Sequence, residues 1–346
     1  MRKVLACALL LPVVGTGEPA AFLDQAAAGI ATLQQWYQWP TGLWKTTGWW
    51  NAANGITVLV RYSKLSGSAE YRPAIANTFH RNAHGSFLNE YYDDEGWWAL
   101  AWAGAYDWSH DPRYLAMAEK IFADMAGGWD NTCGGGIWWK KDRHYKNAIA
   151  NELFLSTAAH LATLTTDSTQ RANHLDWAKR EWQWFAASGM INAQNLINDG
   201  LDSNCHNNGK TVWSYNQGVI LGGLAALSKQ TADAAVLDRA HSIATAAMAH
   251  LAGPDGIVHD PCEPDCGADG TQFKGIFARN LAALNSASPD PTFRAFLQTN
   301  ANSIWRNQSP DHQFGVLWSA PSAQRNAATQ ISALDAILSA AEASQP

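Results

Sequence analysis

The chain has 346 residues, 16% of them charged, with a formal net charge of -6 and no long run of either sign. It is long enough to bury a substantial core, and its sparse, dispersed charge argues against an electrostatic grip on nucleic acid or an anionic membrane. Aromatic usage is inverted, with 18 Trp against 11 Phe and 9 Tyr, which reads either as a Trp-rich core or as a cleft paved for stacking on sugar rings.

Two basic residues, an apolar run from Val4 to Val14 and small residues up to Gly17 open the chain. This pattern predicts a secretory signal peptide over 1–17, too short to span a bilayer, followed by a single domain over 18–346. Loss of Cys7 with the leader leaves Cys133, Cys205, Cys262 and Cys266. Four cysteines allow three connectivities; in an exported chain disulfides are the default, and Cys262–Cys266 with Cys133–Cys205 is the preferred set. The competing reading of "HDPCEPDC" is a metal site with His259, Asp260 and Asp265. No metal or cofactor is expected, and the tail "LSAAEASQP" carries no lipid-anchor signal. A secreted, extracellular monomer is the resulting expectation.

Helical periodicity runs through nearly all the remaining sequence, punctuated by Gly, Pro, Asn and Asp. Twelve helices are predicted, at about 19–38, 49–66, 69–83, 94–109, 111–126, 146–165, 168–188, 214–229, 231–252, 272–286, 291–306 and 322–343. Every second one opens with aromatic or amide residues and continues into small apolar ones, as in "GWWNAANGITVLV", "DDEGWWALAWAGA" and "SYNQGVILGGLAAL". Those between, such as "PRYLAMAEKIFADMA", are amphipathic with a charged face. Alternation of this kind marks stacked helix pairs. Six small-residue helices inside and six charged ones outside predict an all-α (α/α)6 barrel, with the polar openings of the inner helices facing one end. An open helical solenoid is the alternative.

"EYYDDEGWW" (90–98) falls at such an opening. Aspartates before a helix commonly serve as caps or complement the dipole. Here Asp93 and Asp94 are embedded in aromatics, and crowded carboxyls push their two pKa values apart, so that one stays protonated while the other ionises. That division of labour suits glycoside hydrolysis. Carboxyls about 5–5.5 Å apart imply a retaining mechanism and about 6.5–9.5 Å an inverting one; adjacent residues reach either range.

"YYDDEGWWALAWAGAYD", with "GWWNAAN" before it and "CGGGIWWKKDRHYKNAIANELFL", "SYNQGVILGGLAAL" and "FKGIFARNLAAL" after it, resembles glycoside hydrolase family 76, the α-1,6-mannanases and related wall transglycosidases. The likeness covers essentially the whole mature chain. It implies an (α/α)6 barrel, a metal-free retaining mechanism, Asp93 as nucleophile, Asp94 as general acid/base, and α-1,6-linked mannan or mannooligosaccharide as substrate.

The other candidates for substrate binding are Tyr92 and the three Trp pairs Trp49 and Trp50, Trp97 and Trp98, Trp138 and Trp139, of which about one member each is expected to face the core. Asn51, Asn147, Tyr215, Asn216 and Gln217 are read either as sugar-binding groups or as helix caps. Lys274 and Arg279 either orient the carboxylates or pair with acids elsewhere. The sequence holds no H-E-x-x-H, G-x-S-x-G, phosphate-loop or dinucleotide motif. The rival functions are a wall-remodelling transglycosidase, a non-catalytic mannan-binding protein and, with less in its favour, a terpene cyclase.

Overall fold

The computed structural model describes residues 18–345; the leader expected over 1–17 lies outside them. Twelve α-helices follow one another as α1 (Glu18–Gln34), α2 (Trp49–Ser66), α3 (Arg72–Asn82), α4 (Tyr92–Ser109), α5 (Pro112–Ala126), α6 (Ala148–Leu164), α7 (Ser168–Ala187), α8 (Ser214–Thr231), α9 (Ala234–Leu251), α10 (Phe273–Ala287), α11 (Pro291–Arg306) and α12 (Ala327–Ala343). The even-numbered helices pack in a ring in which each touches the next and α12 returns to α2. That closure makes the molecule an (α/α)6 barrel and excludes the open solenoid. Small residues permit the ring: a Cβ on Gly275 would stand 2.2 Å from the Ser332 carbonyl oxygen on α12.

Four of the outer helices share a grammar at their starts. Asp111, Asp167, Asp233 and Asp290 each accept a hydrogen bond from a backbone N–H in the first turn of α5, α7, α9 and α11, satisfying donors that the helix itself leaves unpaired. Four inner helices have a different one. Their fourth residue reaches back to a backbone N–H of the preceding loop: Glu95 to Asn89 (3.3 Å), Asn151 to Ile137 (2.7 Å), Gln217 to Ile197 (2.8 Å) and Gln330 to Phe314 (2.8 Å). The first three clamps hold loops that supply Tyr91, Trp139 and Asp199 to the barrel mouth.

Two boundaries differ from the sequence expectation by more than three residues. The helix predicted to reach residue 38 ends at Gln34, because Tyr37–Gln38 (β1) pairs antiparallel with Leu43–Trp44 (β2). Tyr37 anchors the hairpin by donating from its hydroxyl to the Ala74 carbonyl at 2.9 Å, and aromatic residues suit extended backbone. The last helix starts at Ala327, not 322, where Asn326 and Thr329 form a capping box. The disulfides join Cys133 to Cys205 and Cys262 to Cys266, tying the loop before α6 to the loop before α8 and closing a short loop before α10.

Candidate active site

The first turns of α2, α4, α8 and α10 converge on a cavity of about 680 Å³ lined by Trp50, Asp93, Asp94, Trp97, Tyr215 and Phe273, among others. That volume falls in the range of about 300–1,000 Å³ usual for small-molecule sites. The aspartates are not caps: the N-cap of α4 is Tyr91, and the pair follows in the first turn. Asp93 accepts a hydrogen bond from Trp139 Nε1 at 2.9 Å through Oδ2, while its Oδ1 is buried without a partner. Asp94 accepts from Asn89 Nδ2 at 2.6 Å. The same Asn89 accepts from the Tyr91 N–H at 2.8 Å through its own Oδ1, which fixes the direction of its amide.

Burial pushes the Asp93 carboxyl up to about 8, helped by the neighbouring charge of Asp94 and opposed by the Trp139 N–H. Burial likewise lifts Asp94 to about 6, against the Asn89 hydrogen bond and with Asp269 adding to the rise. Two acids so placed titrate as a unit, and between these values the pair holds one proton and one negative charge. Glu95, the third acid of the run, is raised to about 8 by burial and sits 2.8 Å from Lys141, which also meets Asp124 at 2.8 Å. Its clamp and ion pair make it part of the scaffold.

The cleft walls are built in pairs. On one side Trp50 lies against Trp97 with ring centroids 5.5 Å apart and donates from Nε1 to Asp269 at 2.8 Å. Across from it, Tyr145 donates to Asp199 at 2.5 Å and accepts from Asn208 Nδ2 at 2.9 Å. Burial and Asp199 both raise the Tyr145 pKa, so its hydroxyl keeps its proton. Tyr215 stacks on Phe273 at 3.8 Å, giving a flat apolar surface beside the carboxyls.

Trp50, Trp97, Trp139, Asn147 and Tyr215 join Asp93 and Asp94 in this cavity. Asn147 also caps α6, its side chain accepting from Ala150 N. The others stand elsewhere. Trp49 and Trp98 pack with Phe87 in the core, so the first two Trp pairs divide between core and cleft. Trp138 donates to Asp130 at 2.8 Å and lines a neighbouring groove. Tyr92 is buried under Lys141, and its neighbour Tyr91 lines the cleft instead. Asn51 is 1% exposed and accepts from the Gly48 N–H; Gln217 is a loop clamp; Asn216 is fully enclosed within α8. Lys274 binds Glu263 and the Val316 carbonyl, and Arg279 binds Asp335 at 2.6 Å and Asn54 at 2.8 Å. Both cations therefore serve other acids, not the Asp93–Asp94 pair.

Sequence reasoning missed Tyr145, Asp199, Lys210, Asp269 and Phe273 as cleft residues, and Asn89 as the partner of Asp94. Tyr145 lies two positions before Asn147 and Phe273 immediately before Lys274, within motifs already singled out. Asp199, Lys210 and Asp269 lie in loops without periodicity, where spacing gives no direction to a side chain.

The profile of glycosyl hydrolase family 76 matches residues 24–346. The mannan endo-1,6-alpha-mannosidase DCW1 of Eremothecium gossypii is 28% identical over 70% of this chain and 59% of its own length. The protein of the same name from Candida albicans is 27% identical over 77% and 64%. The chain thus spans less than two thirds of the length of these relatives. Among solved structures, an inactive variant of an alpha-1,6-mannanase of Salegentibacter sp., with two adjacent aspartates replaced and alpha-1,6-mannotetrose bound, superposes with a TM-score of 0.83 at 22% identity, covering 92% of this chain and 98% of that one. Dfg5 from Chaetomium thermophilum in complex with glucosamine gives 0.82 at 23% identity, covering 93% and 90%. The match of the profile to nearly the whole described chain shows that it belongs to glycosyl hydrolase family 76.

Proposed function

We propose that the chain is a secreted, monomeric, single-domain glycoside hydrolase that cleaves α-1,6-mannosidic linkages within mannan with retention of configuration. The observation that carries this reading is the pair Asp93–Asp94, enclosed in an aromatic cleft and able to hold one proton between them. The names of the relatives and the loss of activity in a neighbour altered at two adjacent aspartates support it, and two disulfides suit an exported chain. Asp93 attacks the anomeric carbon as Asp94 protonates the leaving oxygen; Asp94 then takes a proton from the water that attacks the same carbon, breaking its bond to Asp93 and releasing the mannosyl chain. Trp50, Trp97 and Tyr215 offer ring faces to the sugar, and Asp199 and Asp269 offer acceptors to its hydroxyls.

The order of the two pKa values in the protein alone runs opposite to these roles, because the more enclosed Asp93 holds the proton more tightly. Positive charge developing on the sugar beside Asp93 favours its ionised form and passes the proton to Asp94. Digestion of a linear α-1,6-mannooligosaccharide followed by NMR tests the reading. An α-configured first product is expected; a β-configured one means inversion, and products longer than the substrate mean transfer to sugar in place of water.

The same pair sets the pH profile. Below about 6 both carboxyls are protonated and no nucleophile exists; above about 8 both are ionised and no acid exists. A bell-shaped kcat/KM with limbs near these values is expected. A rate that stays flat down to pH 4 would show that the pair ionises like ordinary exposed carboxyls.

A further inference from the structure

Beyond the wall formed by Tyr145 and Lys210 lies a second depression, of about 410 Å³, which these two residues share with the catalytic cleft. The Cys133–Cys205 disulfide ties together the two loops that form it. Its volume alone would hold a small ligand, and its chemistry narrows the class. Trp138 contributes an apolar ring whose N–H is already engaged by Asp130. The charges around it are largely spent. Arg143 is taken by the Gly127 carbonyl at 3.1 Å and Asp130 at 3.5 Å. The Lys146 ammonium is enclosed by Asp130 and backbone carbonyls. The Asp202 carboxylate accepts from the N–H groups of Asn204 and His206 at 2.8 and 2.9 Å. What remains on the lips is the Lys210 ammonium, over the Tyr145 ring at 5.6 Å, with the Ser203 hydroxyl and the His144 imidazole. The Trp138 ring beside a rim of hydroxyl, imidazole and one ammonium is a surface that suits the apolar faces and hydroxyls of a pyranose.

We infer that this groove is a side subsite for a sugar branch, entered over the Tyr145–Lys210 edge by a substituent on the glycan backbone lying in the main cleft. The inference rests on the mannan reading above and extends it from the linear chain to its branches. A backbone passing Asp93 meets Tyr145 on its flank, with the hydroxyl held by Asp199 and Asn208 and the ring under the Lys210 ammonium at 5.6 Å. A residue branching there has the groove directly beyond.

The test compares two α-1,6-mannooligosaccharides of equal backbone length, one linear and one carrying single mannosyl branches. Binding is measured by calorimetry in an Asp93→Asn background and turnover in the wild type. Ser203→Trp and His144→Trp, each exposed on a lip of the groove, fill it from separate loops. The branched glycan is expected to bind several-fold more tightly than the linear one, and each substitution to remove that preference while linear kcat/KM stays unchanged. Equal binding of the two glycans, or a preference that survives both substitutions, overturns the subsite. Failure of the wild type to cut the linear glycan instead defeats the hydrolase reading, and the calorimetric comparison still decides the groove.

Discussion

Asp93→Asn and Asp94→Asn are each expected to lower turnover of linear α-1,6-mannan by about 1,000-fold or more, in distinguishable ways. Asparagine preserves the shape of the side chain and can still accept from Trp139 at position 93, so the loss reports chemistry, not packing. Without the Asp93 carboxylate nothing attacks the anomeric carbon, and no leaving group, however good, restores the rate. Without Asp94 only proton transfer is lost. An aryl mannoside whose leaving group needs no proton should then still form the glycosyl-enzyme, and added azide should accelerate its release as a retained mannosyl azide. Removing the negative charge beside Asp93 lowers its pKa from about 8 while burial still holds it up, so in Asp94→Asn the alkaline limb disappears and the acid limb, now set by Asp93 alone, lies between about 6 and 8. A retained azide product from Asp93→Asn in place of Asp94→Asn would exchange the two roles, whereas an inverted azide from Asp93→Asn is direct displacement and leaves them as proposed.

The barrel was legible because its two helix classes differ in composition for a physical reason. Inner helices contact neighbours on almost every side and need small residues, whereas outer ones keep a charged face. The tandem aspartates were legible because their setting among aromatics distinguished them from Asp111, Asp167, Asp233 and Asp290, which are true caps. The amides were not. Gln217 at an inner helix start, like Asn51 and Asn216, looks like a ligand for a sugar in one dimension. In three dimensions, the fourth residue of the helix is turned toward the preceding loop, and the second, as with Trp50, Asp93 and Tyr215, is turned into the cleft. This rule of position would have placed Tyr215 in the site and Gln217 outside it. Lys274 is also a second residue but is drawn away by Glu263, a partner eleven positions upstream that periodicity does not reveal. Asp199 and Asp269 depend wholly on loop paths.

The loop that carries Trp139 to Asp93 is held from inside by one cation. Lys146 Nζ is buried and donates to Asp130 Oδ1 at 2.9 Å and to the carbonyls of Thr132, Gly135 and Gly136 at 2.8, 2.7 and 2.9 Å. The ring of Trp138 lies 4.8 Å away. Burial lowers the lysine pKa, and the Asp130 contacts oppose that shift. Around this centre the backbone takes a path open only to glycine. Gly136 has φ +81, and a Cβ there would stand 2.3 Å from the Trp184 ring. Lys146→Met keeps the length of the side chain and leaves a carboxylate and three carbonyls facing a methyl group. Breaking a buried ion pair from one side costs about 3–5 kcal/mol. At about 2–4 °C per kcal/mol for a large domain, Tm should fall by about 6–20 °C. The functional consequence follows from the chain path. The loop leads through Ile137 and Trp138 to Trp139, whose N–H holds Asp93. Once the loop relaxes, Asp93 loses that donor and kcat should fall by about tenfold, equivalent to the roughly 1.4 kcal/mol that separates a made from an unmade hydrogen bond to a charged group. Trp139→Phe, which deletes the same donor and leaves Lys146 in place, should reproduce the kcat loss with little change in Tm. If Lys146→Met lowers Tm but leaves kcat of the folded enzyme at the wild-type value, the loop and the nucleophile are not coupled.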